Sequence, residues 1–184
     1  MRRICLALVL FACCGAAAAS ASPERSGSAQ RRITGTQELD RLASRIATYQ
    51  HVTWRWERVM GVGRTATEGR VLSTMRIEDV HRALELWRRR AARAAARAHH
   101  PPNVRAWLCI HRYEGSWSDA GAPYYGGLQM DAGFMRRYGG WLLRTKGTAD
   151  HWTPLEQIWT AERARRSGRG FWPWPNTARM CGLL

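Results

Sequence analysis

The sequence predicts a mainly α protein. Two long stretches repeat their apolar residues at three and four positions, and the remainder carries three short helix signatures with no substantial sheet expected. The chain has 184 residues, enough for one domain or one small domain with an extension. With 45% hydrophobic residues and a mean hydropathy of −0.43, it is not a polytopic membrane protein.

Residues 1–21 read as an export signal. Arg2 and Arg3 open it, an apolar core follows, and Ala19-Ser20-Ala21 supplies a small-x-small cleavage site. The apolar run is too short to span a bilayer as an ordinary helix. The expected location is secreted and associated with the cell wall. A lipoprotein anchored at Cys13 is the minority alternative, because Leu10-Phe11-Ala12-Cys13 resembles a lipidation box.

Residues 22–36 are Ser, Gly, Pro and Arg with almost no apolar residue, a composition expected of a flexible linker. Residues 37–100 are expected to form a basic region of two helices. In the first, Thr36 is the expected N-cap, and Leu39, Leu42, Ile46, Tyr49, Val52, Trp56 and Val59 recur at helical spacing up to Gly61-Val62-Gly63. In the second, Ile77, Val80, Leu84, Trp87 and Ala91 repeat the period until Pro101-Pro102 stops it. An antiparallel helical hairpin is the expected arrangement.

Residues 101–184 differ in composition. From Pro102 onward they hold seven of the ten tryptophans, and Cys109 and Cys181 are the two cysteines left after signal removal. Two cysteines outside the cell point to one disulfide, with two unpaired buried thiols as the alternative. A helix from about Asn103 places Val104, Trp107, Leu108 and His111 on one face and ends near Glu114-Gly115. A turn-rich stretch leads to a second short helix around Asp131 to Tyr138, with Asp131 as its expected cap. Thr153-Pro154-Leu155-Glu156 opens a third with a capping box, and Gly168 and Gly170 end it.

The formal net charge is +15, and of the 29 cationic residues only Lys146 is not arginine. Such charge suits any polyanion and says nothing about fold. The most basic run, residues 88–97, reads first as a solvated helix face. It lacks the interleaved aromatics that stack on bases, so no specific nucleic acid is expected. Acidic wall polymers are the partner the Arg-rich helix suits.

Glu114 is the candidate catalytic residue: a carboxylate at a helix end, followed by Gly115 and Trp117 and then by glycines and tyrosines. A carboxyl leaning on aromatic walls has its charged form disfavoured by desolvation, which suits it to donate a proton in glycosidic-bond cleavage. From spacing alone, an exposed capping or salt-bridged glutamate is the competing reading. His111, three residues before Glu114, lacks the spacing of a zinc pair, and no metal site is expected.

Cys109-Ile110-His111-Arg112-Tyr113-Glu114-Gly115-Ser116-Trp117, then Tyr124-Tyr125-Gly126-Gly127-Leu128-Gln129-Met130, and finally Trp174-Pro175 before Cys181, resemble the transglycosylase-like domain of the resuscitation-promoting factor family. The resemblance covers residues 101–184. It implies a small lysozyme-like domain with its two cysteines paired, secretion, and cleavage of peptidoglycan glycan strands by one glutamate, here Glu114. It also implies a substrate groove with Trp117, Tyr124, Tyr125, Gly127, Gln129 and Trp174 as its lining residues, and no cofactor. The chain departs from the family's pattern: Glu114 lies five residues after Cys109 where the family commonly has the two adjacent, Glu114 to Trp117 is shorter than the family's usual gap, residues 176–180 lengthen the segment before Cys181, and the basic two-helix region has no counterpart in the family's domain.

A retaining hydrolase needs a second carboxylate about 5 Å from the first. Asp119, Asp131 and Asp150 are the candidates, and none has family support. The expected activity is therefore that of a lytic transglycosylase acting on the MurNAc–GlcNAc bond. A muramidase-type hydrolase is the runner-up, a non-catalytic wall-binding module the second alternative, and a cationic membrane- or nucleic-acid-binding protein the third. A monomer is expected.

Overall fold

The computed structural model describes residues 23–67 and 75–184, with side chains from residue 35 onward. The expected export signal, with Cys13, falls outside the described residues. Residues 39–184 form one compact unit. Helices α1 (Pro23–Met60), α2 (Ile77–His99), α3 (Val104–Glu114), α4 (Ala132–Lys146), α5 (Pro154–Ala164) and α6 (Pro175–Met180) dominate it, with a hairpin of two-residue strands, β1 (Tyr124–Tyr125) and β2 (Met130–Asp131). A mainly α protein with little sheet is thus what the chain forms. No described helix is long and apolar enough to cross a membrane.

Helix α1 begins at Pro23, not at Thr36, so residues 23–36 are helical where composition predicts a linker. Once a helix exists, each added residue gains a backbone hydrogen bond without a new nucleation cost. Pro23 suits a first helical position, where its missing N–H has no intrahelical role. The helix ends at Gly61, whose φ of 66° only glycine adopts freely.

Helix α2 carries Glu78 and Asp79 in its first turn and Arg97 and His99 in its last, each matching the sign of the helix dipole there. Its buried face is Val80, Leu84, Trp87, Ala91, Ala94 and Ala98. Ile77, counted on that face from its spacing, is 38% exposed. Arg88 and Arg89 pair with Glu85 on the outer surface. Both Glu85 bonds hold its carboxyl down at about 2.

The expected antiparallel hairpin is not what forms. Leu42 and Ile46 cluster with Val80 and Leu84, Trp54 meets Trp87, Trp56 meets His99, and Val59 and Met60 lie against Ala98. Partners rise in number together, so the two helices run in the same direction. The connection is long enough to permit it: residues 61–76 separate the helices. Sixteen residues reach roughly 50 Å when extended, beyond the roughly 30 Å rise of a 20-residue helix. The chain starts that return along α1, with Trp54 Nε1 donating to Thr65 O at 2.9 Å and Thr65 N to Glu57 Oε2 at 2.9 Å.

Parallel packing brings both helix C-termini onto α5. Trp159 is buried against Val59, Met60 and Ala98, and its Nε1 donates to Ala98 O at 2.8 Å. Arg163 donates to Val59 O, and Arg166 Nη2 to Met60 O at 2.8 Å. Two guanidiniums therefore meet the carbonyls that end α1, where the dipole is negative. Burial, aided by the nearby Arg166 charge, lowers the Arg163 pKa to about 10.

The second core joins α3 to α6. Trp107, Ile110, Leu128, Met130, Phe134, Met135, Leu142, Trp152, Ile158 and Trp174 are its large members. On α3 the buried residues are Trp107 and Ile110, while Leu108 is 48% exposed. Ile110, next to Cys109, takes the inward position that spacing alone assigned to Leu108. Trp107 Nε1 donates to the buried Glu162 at 2.8 Å, which also pairs with Arg165 at 2.8 Å. The expected caps form: Asp131 accepts from Phe134 N at 2.7 Å, and Thr153 with Glu156 completes a capping box on α5. Gly168 and Gly170, in the turn after α5, both have positive φ.

Candidate active site

Glu114 is the last residue of α3, and Gly115 stops the helix with φ 140° while its N–H donates to His111 O at 3.2 Å. The glutamate is half-buried. Its Oε1 accepts from Thr177 Oγ1 at 2.7 Å, and its Oε2 makes no hydrogen bond among the described residues. One carboxyl oxygen is thus held and the other is unengaged among the described residues.

Thr177 comes from α6, which is built from Pro175 and the extra residues 176–180 before Cys181. Cys109 and Cys181 are bonded, which ties α3 to the end of α6. Glu114 stands five residues beyond Cys109, and Thr177 four before Cys181, so each lies about one helical turn from the crosslink. Sequence reasoning did not select Thr177. The disulfide expectation combined with helical spacing on both sides was the signal that could have found it.

His111 also organises the site. Its Nδ1 lies 3.0 Å from Gly127 O, and its ring stacks on Trp117 at 3.8 Å between centroids and 20° between planes. One indole face of Trp117 is therefore covered by His111. The Trp117 carbonyl accepts from Gln157 Nε2 at 2.8 Å, which fixes the loop onto α5. At Gly127 a Cβ would come within 2.5 Å of His111 Nδ1 and 2.8 Å of Trp117. This close approach is what requires glycine there.

The hairpin pairs Tyr124 with Asp131 and Tyr125 with Met130. Tyr124 is 50% exposed, as its position suggested, and Tyr125 packs partly against the core. Gln129 turns inward: its Nε2 donates to Asp119 Oδ2 at 2.8 Å and to Gly126 O at 3.0 Å. Asp119 Oδ1 accepts from Gly121 N at 3.0 Å. Both oxygens of this carboxylate are thus engaged in shaping the loop, as are those amide hydrogens of Gln129.

Trp174 differs from the groove position that the resemblance implies. It is 4% exposed, donates from Nε1 to Leu128 O at 2.7 Å, and packs edge-on against Trp107 and Phe134. A ring with a buried N–H satisfied beneath the hairpin supports the site from below instead of facing solvent. Of the other carboxylates, Asp131 caps α4, and Asp150 lies 3.0 Å from His151.

Fold and site together define a mainly helical, disulfide-linked domain that presents a half-free carboxylate at a helix end beside a small hairpin. No family model matches the chain, and no curated protein matches it significantly.

Proposed function

We propose that the protein is an exported, wall-associated lytic transglycosylase that cleaves the MurNAc–GlcNAc bond of peptidoglycan with Glu114 as its general acid and base. The observation that carries the reading is the Glu114 carboxyl, held through Oε1 by Thr177 and unengaged at Oε2. The resemblance of residues 101–184 to the lysozyme-like domain of the resuscitation-promoting factor family supplies the substrate class.

In the first step the C1–O bond breaks as Glu114 Oε2 gives its proton to the leaving oxygen. The sugar's 6-hydroxyl then forms the new bond to C1, and Glu114 takes back the hydroxyl proton. The product is a 1,6-anhydro-muramoyl end, and the glutamate returns to its starting state. A retaining hydrolase would need a second carboxylate as nucleophile. Asp119, the candidate nearest in sequence, has both oxygens engaged by Gln129 and Gly121, which favours the single-carboxylate route.

Exposed Tyr124 and the partly exposed Trp117 are the sugar-facing residues in this reading, and no cofactor takes part. Mass spectrometry of purified peptidoglycan treated with the disulfide-bonded protein tests it. Anhydro-muramoyl ends are expected from the wild type, and Glu114→Gln should reduce their formation by about 10²–10⁴-fold, the range typical of a lost acid–base catalyst. Ordinary reducing ends would make the enzyme a hydrolase. No release from either protein, with both sedimenting with the wall, would leave a binding module.

A further inference from the structure

The two-helix region carries a site of its own, independent of glycan cleavage. Between α1 and α2 lies a cleft of about 360 Å³ lined by Arg90, Arg93 and Arg97 of α2 and by Glu57 and Thr65 across from them. Arginines at 90, 93 and 97 fall on one helix face. Their neighbours Arg88 and Arg89 do not line the cleft and pair with Glu85. The cleft arginines make no ion pair among the described residues.

Glu57 forms no ion pair with them among the described residues. It is 8% exposed and takes hydrogen bonds from the Thr65 N–H and hydroxyl. Arg90 lies over the Trp87 ring at 4.8 Å, and its Nη1 is buried with no hydrogen-bond partner. An unsatisfied buried guanidinium donor is costly. Three like charges around one cleft also repel one another, and that cost falls when an anion enters.

We propose that this cleft is a phosphate-binding site, taking a phosphate group through the guanidiniums of Arg90, Arg93 and Arg97. Three separate guanidinium forks suit an anion with three or more acceptor oxygens better than a carboxylate with two. The phosphate comes either free or as part of a phosphodiester polymer, and the shared chemistry is the same.

Calorimetric titration of the disulfide-bonded chain at constant ionic strength tests the site, with inorganic phosphate, poly(glycerol phosphate) and acetate as probes. Saturable one-to-one binding of inorganic phosphate or of the polymer's phosphodiester unit is expected, and the tighter of the two identifies the source. Arg93→Gln with Arg97→Gln should weaken that binding on the order of a hundredfold, about tenfold for each guanidinium removed. Arg88→Gln with Arg89→Gln removes the same charge from the Glu85 pairs outside the cleft and should change it by less than about twofold. All four positions are exposed, so the variants are expected to fold, which circular dichroism checks. Equal losses from the two double variants, acetate binding as tight as phosphate, or no saturable binding of either phosphate probe overturns the proposal.

Discussion

Thr177 is the residue through which Glu114 is aimed. A hydroxyl 2.7 Å from one carboxyl oxygen restrains the side chain's rotamer and leaves the other oxygen for proton exchange. In the proposed reaction Thr177 is a positioning residue. Thr177→Val keeps the shape and removes the donor. Hydrogen bonds to charged groups contribute about 1.5–3 kcal/mol, so kcat should fall roughly ten- to a hundredfold. KM should move little, because the hydroxyl does not touch substrate, and Thr177→Ser should restore most of the rate. Steady-state kinetics on glycan strands reads the split. A KM increase with kcat unchanged would assign Thr177 to substrate binding instead.

At the scale of elements, α4 and α5 are joined by a buried ion pair that responds to acid. Glu156 is 3% exposed, accepts from Lys146 Nζ at 2.7 and 2.8 Å, and accepts from Thr153 N at 2.9 Å. Burial pushes its carboxyl up, but the Lys146 ammonium and the Thr153 N–H outweigh it, and its pKa lies below the ordinary 4.5. A carboxyl depressed in the folded state contributes stability that is complete above its unfolded value and is lost as pH falls through the folded value. Denaturant melts from pH 7 down to pH 2 should therefore show stability falling below about pH 4.5. Glu156→Gln should be less stable at neutral pH and flatten that fall. An unchanged acid slope in the variant would place the acid sensitivity elsewhere.

These elements were largely legible in the sequence. The capping box at Thr153, the cap at Asp131 and the stop at Gly61 formed where local chemistry put them, because each depends on neighbours within one turn; α5 instead ends at Ala164 and passes into a π-helical turn, Arg165–Arg169, before Gly170. The start of α1 was not legible. Its polar first turns lack the apolar spacing that marks a packed helix, and their helicity continues that of the packed turns that follow.

At the scale of the molecule, the disulfide joins positions 72 apart. It spans nearly the whole second core, from α3 to the turn after α6. In the chain-entropy model a loop of that length stabilises the folded state by about 4 kcal/mol. Reduction, or Cys109→Ser with Cys181→Ser, should lower the urea midpoint accordingly, and equilibrium unfolding with and without reductant measures it. Activity should fall further than stability explains, since the same bond keeps Glu114 and Thr177 one turn from a shared anchor. A midpoint unmoved by reduction would mean that the Trp107–Trp174 core holds α3 and α6 together unaided.

The parallel course of α1 and α2, the docking of their ends on Trp159, Arg163 and Arg166, and the burial of Trp174 were decided by tertiary structure alone. Periodicity reports which face of a helix is apolar but not which way its partner runs, and a 16-residue connection permits either direction. A tryptophan's spacing likewise cannot separate a groove wall from a core ring, because both need the same apolar surface. The sequence by itself determined the helical class, the helix stops and caps, the two-cysteine pairing and the carboxylate at the end of α3. Those depend on contacts within a turn or on residue identity. Which oxygen of Glu114 is held, and which arginines remain without a carboxylate, depends on residues 63 and about 30 positions away, and only the folded chain brings them together.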